Sequence, residues 1–124
     1  MLQAAIAACH ARAGDAADTD WEQIELLYRA LGAVAPSPVV ELNRAVAVAM
    51  AFGPERGLEV VDGLAAGRAL AGYHHLPSVR GDLLARLGRD GEAAEEFRRA
   101  AALTRNIPER TVLLRRAAEC DARM

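Results

Sequence analysis

Small and apolar residues recur along this chain at helical spacing, and the recurrence has a long period. In the C-terminal third, steps of four, three and three residues separate Ala93, Phe97, Ala100 and Leu103. The same steps separate four residues that stand 69 positions earlier, Ile24, Tyr28, Leu31 and Val34. The first three positions recur between these sets as Gly57, Val61 and Leu64. Because such steps keep side chains on one face of an α-helix, the pattern predicts repeated amphipathic helices.

Glycine, proline and capping residues divide the chain into about seven helical stretches. We predict these approximately over residues 2–12, 19–35, 38–52, 54–67, 73–87, 90–104 and 107–120. Thr19 and Glu22 form a candidate capping box, while Ser37 and Asn106 are candidate N-caps for the helices that follow them. We predict no strand, since the apolar run over residues 45–50 is rich in alanine and lies between helix signals.

The predicted helices are short and closely spaced, which favours pairing. Gly53 and Gly88 each end a helix just before the next one begins, and 35 residues separate them. Separations of 35 and 69 residues are close to one and two periods of the tetratricopeptide repeat, about 34 residues. We therefore predict an all-α, tetratricopeptide-like α-solenoid of about three helix pairs plus a C-terminal capping helix. It would form a single domain over residues 1–124.

Composition and charge argue against several classes of protein. The formal net charge is −2, and the absence of a basic surplus argues against direct contact with nucleic acid. Cys9 and Cys120 form no disulfide or metal pattern, which fits a reducing cytoplasm. No segment approaches the ~20 apolar residues of a membrane span, and the first residues lack the basic start of a signal peptide. We expect a cytoplasmic protein and, because the chain opens inside an apolar helical pattern, a segment of a longer one.

The sequence offers no set of residues that is typical of catalysis. It contains no Gly-rich phosphate loop, Cys-x-x-Cys pair, His-Glu-x-x-His motif or nucleophile elbow, so we expect no enzyme activity and no cofactor. His74 and His75 could bind a metal together with Cys9 or His10. Neighbouring helical positions are expected to point in different directions, however. We therefore interpret the two histidines as polar residues at a helix start and predict no metal site.

The third stretch is apolar almost all round, which predicts a helix buried on most sides. Asn43 and Arg44 stand out in it, because unpaired polar groups are costly in such a place. In tetratricopeptide repeats the first helix of each pair lines a concave groove, and the register places both residues on that side. Their counterparts in the next repeat are His75, Ser78, Asp82 and Arg86. One interpretation is a groove that binds an acidic or carboxylate-bearing segment through Arg44. The other is an internal hydrogen bond or ion pair of Arg44, for example with Glu25 or Asp82.

Several blocks of sequence resemble one family closely. Towards the N-terminus they are Leu2 to Ala8, Asp18 to Trp21, Leu27-Tyr28, Ala35 to Val40, Leu42 to Val48, Gly53-Pro54 and Gly57-Leu58. Further on they are Gly72 to His74, Asp82 to Leu84, Leu87 to Arg89 and Glu109-Arg110. The pattern resembles the tetratricopeptide-like C-terminal extension of one group of extracytoplasmic-function (ECF) sigma factors, and it covers nearly the whole chain. Two positions depart from it. Gly81 stands where alanine is usual, which should slightly weaken its helix, and Met1 stands where the family chain would continue upstream.

The resemblance implies a regulatory role in transcription initiation. Upstream sigma regions, absent from this sequence, would bind core RNA polymerase and the promoter, and the extension would support or control them. The implied partners are the sigma regions of the same full-length chain, RNA polymerase core and a small YCII-like (DGPF) protein. A ligand-sensing module that binds a small anionic metabolite in the groove is the alternative.

Overall fold

The computed structural model describes residues 19–124, in which all regular structure is helical. The six helices are α1 (Trp21–Val34), α2 (Pro38–Phe52), α3 (Pro54–Ala66), α4 (His75–Arg86), α5 (Asp90–Leu103) and α6 (Ile107–Arg123). The prediction of an all-α fold is thus confirmed for this part of the chain. The first predicted stretch, residues 2–12, lies outside the described residues, as do Cys9 and His10.

Two of the predicted helix starts are confirmed in detail. Ser37 precedes α2, and its hydroxyl accepts a hydrogen bond from the Val39 N–H at 3.2 Å. Asn106 precedes α6, and its side-chain oxygen accepts from the Glu109 N–H at 2.8 Å. Each cap satisfies a backbone donor that the first helical turn leaves without a partner.

The predicted capping box at Thr19 is wrong by one residue. Asp20 is the N-cap of α1, and its carboxylate accepts a hydrogen bond from the Gln23 N–H at 3.1 Å. Both residues are good N-caps, and the helix begins at Trp21, so Asp20 holds the position next to it. The start of α4 also differs from the prediction, since residues up to His74 form turns in which the Tyr73 N–H donates to the Leu70 carbonyl at 3.0 Å.

The chain divides into two compact units, one up to Val60 and the other from Val61 onward. In the N-terminal unit, α1 packs against α2, and the buried apolar residues are Ile24, Leu42, Ala45, Ala47, Val48, Ala49 and Leu58. The start of α3 approaches α2 closely at Gly57. A Cβ there would lie 2.6 Å from the Ala49 Cβ and 2.9 Å from the Ala45 carbonyl oxygen. Only glycine permits this approach.

In the C-terminal unit, α5 packs against both α4 and α6. Phe97 on α5 is fully buried, and its ring lies against Gly81 on α4, where a Cβ would come within 2.9 Å of the ring. Gly81 was expected only to weaken its helix. Its position against Phe97 supplies a packing reason for glycine at this site. Within residues 19–124, no helix combines the length and apolar character needed to cross a bilayer.

Candidate functional site

Arg44, the predicted charge-bearing residue of the groove, makes internal ion pairs. Its Nη1 lies 3.1 Å from Glu25 Oε1 on α1, and its Nε donates to Glu41 Oε1 at 2.9 Å. Glu25 is only 1% exposed and also accepts from Arg29 Nη2 at 2.8 Å. Of the two interpretations that the sequence left open, the structure shows the internal pair with Glu25.

The ion pairs affect the pKa of Arg44. Its pKa is raised above the ordinary arginine value, chiefly because Glu41 accepts its hydrogen bonds, although partial burial acts in the opposite direction. Arginine is protonated in folded proteins generally, and the donors of Arg44 already bind two carboxylates. Its first role is to compensate the buried charge of Glu25, since an unpaired carboxylate in that position would be costly.

A cavity of about 280 Å³ adjoins this network in the N-terminal unit. It is lined by Glu25, Arg29, Arg44, Val48, Phe52, Arg56, Glu59 and Val60. Three of these residues are arginines and two are glutamates, so the lining carries one positive charge in excess. Arg56 lies on α3 and is exposed, as is Arg29 on α1.

Asn43 does not line that cavity; it lies on another face of α2. The exposed apolar residues Val39, Val46 and Met50 stand four residues before, three after and seven after Asn43, which is exposed as well. These intervals place all four on one side of the helix. The sequence predicted a helix buried on most sides, but Leu42, Ala45 and Ala49 are buried while this stripe is accessible. We call Val39, Asn43, Val46 and Met50 the α2 stripe.

The other four predicted groove residues lie on α4, in the C-terminal unit. His75 is exposed and Ser78 is half-buried. Asp82 pairs with Arg116 on α6 at 2.7 Å and with Arg86 one turn along α4 at 3.1 Å. The guanidinium carbon of Arg116 also lies 4.4 Å from the centre of the Phe97 ring. The structure thus brings Asp82 and Arg86 together, in an ion-pair network that joins α4 to α6.

The sequence analysis missed a second buried carboxylate, Glu96 on α5. It is 4% exposed and forms ion pairs with Arg80 on α4 at 3.5 Å and with Arg99 at 3.0 Å. Its position was readable, because Glu96 stands three residues after Ala93 and directly before Phe97, on the face that the repeat pattern marks as apolar. Arg80 also donates to Asp62 at 2.8 Å.

Burial affects the pKa values of Glu96 and Arg80 differently. It raises the pKa of Glu96 above its ordinary range, and the charges of Arg99 and Arg80 only partly oppose this effect. Burial alone would lower the pKa of Arg80, but the hydrogen bond to Asp62 and the nearby carboxylates outweigh it and the pKa is raised. Beside this pair lies a cavity of about 360 Å³, whose lining includes Arg68, Leu76, Arg80, Glu96 and Arg99.

The geometric reason for setting His74 and His75 aside as metal ligands is wrong. His74 is the N-cap of α4 and His75 is its first residue, so the pair lies at a helix boundary. Their ring centres are 4.1 Å apart, with 38° between the ring planes. The two imidazoles therefore face the same region.

Comparison with known proteins gives one informative match. An uncharacterized protein of Rhizobium meliloti (strain 1021) is 54% identical to this chain over 109 residues, which is 88% of this chain and 25% of the relative. The chain thus spans about a quarter of the length of that curated relative. No family model matches the sequence, and no solved structure matches it.

Proposed function

We propose that this chain is a non-catalytic, tetratricopeptide-like interaction domain that supports or controls an ECF sigma factor. Its partners would be the sigma regions of the same full-length chain, or RNA polymerase core, in the bacterial cytoplasm. A small YCII-like (DGPF) protein is a further candidate partner. The accessible α2 stripe carries this proposal, and the helix junctions and the sequence resemblance support it.

The α2 stripe has the character of a docking surface. Val39, Val46 and Met50 are each at least 36% exposed, and Asn43 adds a polar group among them. Contiguous exposed apolar residues rimmed by polar ones commonly mark contacts with another protein. A helix presents such a stripe to an amphipathic partner segment, whose apolar side chains it can bury.

The junctions between helices agree with a repeat architecture. Gly53 has φ of 106° between α2 and α3, and Gly88 has φ of 76° between α4 and α5. Such φ values favour glycine, and the two glycines stand 35 residues apart. In this proposal α2 with α3 and α4 with α5 are successive repeats, and α6 is the capping helix.

The resemblance to ECF extensions supplies the specific partner. The block from Ala35 to Val48 is its most specific part, and it includes both Asn43 and Arg44. A relative that is about four times as long as the matched segment is compatible with further domains in the same polypeptide. The proposal assigns promoter and polymerase binding to those domains and regulation to this one.

The decisive test is titration of this chain against the upstream sigma regions and against core RNA polymerase, at low and at high salt. We expect micromolar or tighter binding to one of them, with weak dependence on salt because the stripe is apolar. Val46→Asp should weaken this binding strongly. Val112→Asp on α6, another exposed valine, is the matched control and should bind normally.

Two outcomes would contradict the proposal. One is the absence of binding to either partner at both salt concentrations. The other is an equal loss of binding in Val46→Asp and Val112→Asp, which would show that the α2 stripe has no special part in the contact. Circular dichroism of each variant separates loss of the surface from loss of the helices.

A second candidate function, sensing of a small anionic ligand, is favoured by the arginines of the N-terminal cavity. Arg29 and Arg44 form ion pairs with Glu25, whereas Arg56 lines the cavity and forms no ion pair with Glu25. Titration with inorganic phosphate and with a short dicarboxylate, followed by thermal unfolding, tests this function. Binding that Arg56→Ala abolishes and that Arg105→Ala, an exposed loop arginine, leaves intact would support it. No binding would exclude these two probes as ligands of the cavity.

A further inference from the structure

Three metal-ligating side chains meet where α4 and α6 begin. His74 and His75 stand at the N-cap and first position of α4, and Glu109 lies in the first turn of α6. One ligand atom from each residue lies within 4.8 Å of the others. The three residues belong to the C-terminal unit, and α6 carries Glu109 at a position fixed by the Asn106 cap.

His74 carries the most informative atom of this cluster. Its Nε2 lies 2.8 Å from Glu109 Oε1. The same nitrogen is buried and has no hydrogen bond of acceptable geometry to any described residue, although this oxygen is close. A buried ring nitrogen beside a carboxylate, without a hydrogen bond, is a group that a cation would satisfy.

The remaining two ligands have room to adjust. His75 is exposed, and the Glu109 side chain is 34% exposed, so both can rotate towards a common centre. Zinc binds imidazole nitrogen and carboxylate oxygen at about 2.0–2.2 Å, which requires only a modest contraction of the present cluster. The positive ends of α4 and α6 oppose a bound cation, and the Glu109 carboxylate offsets them.

The donor set selects the kind of ion. Two imidazoles and one carboxylate suit Zn²⁺ and similar transition metals, whereas Ca²⁺ and Mg²⁺ prefer oxygen ligands alone. Three protein ligands leave one position of a tetrahedral site for water or another donor. The Tyr73 ring lies 5.1 Å from the His75 ring, edge to face, and shields one side of the cluster.

We propose that His74, His75 and Glu109 form a binding site for a zinc-like divalent transition metal. The bound ion would tie the start of α4 to the start of α6 and would stabilise the folded C-terminal unit, because it binds the folded chain and not the unfolded one. This inference is independent of the proposed role in transcription, so a failure of one proposal does not affect the other.

The test uses the complete chain after treatment with a chelator. Co²⁺ titration should give the visible absorption of a four-coordinate site at one equivalent, and competition with a chromophoric chelator should give the Zn²⁺ affinity. Each of His74→Ala, His75→Ala and Glu109→Gln should weaken binding by more than the roughly 10- to 100-fold that loss of an outer-shell partner costs. Zn²⁺ should also raise the unfolding temperature of the wild type and not that of Glu109→Gln.

His10→Ala is the matched control, since it removes the remaining histidine of the chain and should leave binding unchanged. A site that His10→Ala destroys would overturn the assignment, and so would Zn²⁺ binding no stronger than that of Mg²⁺. Unchanged affinity in Glu109→Gln would also contradict it, because the site would then rest on two histidines alone. Glu109→Gln preserves shape and His75 is exposed, so both variants should fold, and circular dichroism checks this.

Discussion

Each unit of the molecule buries one glutamate beside two arginines, one on the same helix and one on a neighbouring helix. In the N-terminal unit, Glu25 accepts hydrogen bonds from Arg29 and Arg44 at 2.8 and 3.1 Å. In the C-terminal unit, Glu96 lies 3.0 Å from Arg99 and 3.5 Å from Arg80. Burial raises the pKa of Glu96 despite its two cationic neighbours. Two neighbouring arginines therefore do not by themselves prevent burial from raising the pKa of a carboxylate.

Each unit also has a close helix contact at a glycine, and the two glycines contact different kinds of atoms. In the N-terminal unit the small residue is Gly57 on α3, and it meets the backbone and Cβ atoms of α2. In the C-terminal unit the small residue is Gly81 on α4, and it meets the ring of Phe97 on α5. A ring can tilt to relieve a close contact, whereas a helix backbone cannot. The first contact should therefore tolerate an added methyl group less well than the second.

The largest expected effect compares two aromatic residues at equivalent repeat positions, Phe97 and Tyr28. Phe97 is fully buried, so Phe97→Ala should lower the free energy of unfolding by about 3–5 kcal/mol. Tyr28 is only half-buried, so Tyr28→Ala should cost clearly less. Urea unfolding followed by circular dichroism measures both. Equal losses would mean that the two repeats are packed alike, contrary to the structure.

Much of the fold follows from local signals, and this explains which predictions succeeded. Ser37 before Pro38 and Asn106 before Ile107 mark helix starts through chemistry that acts within three residues. Thr19 and Asp20 are adjacent caps of similar quality, so the sequence could not choose between them. His74 and His75 were interpreted as residues of a helix start, which is where they lie. The expectation that their side chains point apart was wrong, since their ring centres are 4.1 Å from each other.

The candidate sites depend on contacts between residues that are distant in sequence. Arg44 and Glu25 stand 19 residues apart, and the sequence supplied that pair only as one example of an internal partner. His74 and Glu109 meet because α4 and α6 begin close together, which no helical period specifies. The accessible α2 stripe was missed because an apolar helix reads as buried whether or not a neighbour covers each of its faces.

The next prediction concerns the two glycines at the helix contacts. Each glycine-to-alanine change gains roughly 1 kcal/mol of helix propensity, while overpacking costs typically about 1–3 kcal/mol. We expect Gly57→Ala to destabilise the protein by about 2 kcal/mol, and Gly81→Ala by less than about 1 kcal/mol, because Phe97 can shift. Chemical denaturation of both variants gives the comparison.

Gly63 is the matched control for these variants. It lies within α3, and a Cβ there would meet nothing within 4 Å. Gly63→Ala should therefore stabilise the protein by up to about 1 kcal/mol. A stabilising Gly57→Ala would show that α3 can move away from α2, and the close approach would then have no energetic weight.

Substitutions of the two buried glutamates, Glu25 and Glu96, should change stability by different small amounts. They test the comparison between the two units most directly. At neutral pH, Glu25→Gln replaces two hydrogen bonds between opposite charges with weaker ones in which only the arginine is charged, and it should cost about 1–2 kcal/mol. Glu96→Gln should change stability by less than about 0.5 kcal/mol, because the lost ion pairs are offset by the relief of a poorly compensated buried charge. Arg80 also keeps its partner Asp62 in that variant.

The direction in which stability changes with pH tests the raised pKa of Glu96. Because its pKa is raised in the folded state, the folded protein binds the proton more tightly than the unfolded chain does. The Glu96 contribution to stability must then grow as the pH falls from neutral towards the ordinary glutamate range, and it must shrink as the pH rises. The stability of the wild type relative to Glu96→Gln should therefore increase as the pH is lowered from ~7 to ~5.

Glu95→Gln, an exposed neighbour on the same helix, corrects for the change in net charge. A difference that stays flat or falls over this range would mean that the charges of Arg80 and Arg99 fully offset the effect of burial on the pKa of Glu96.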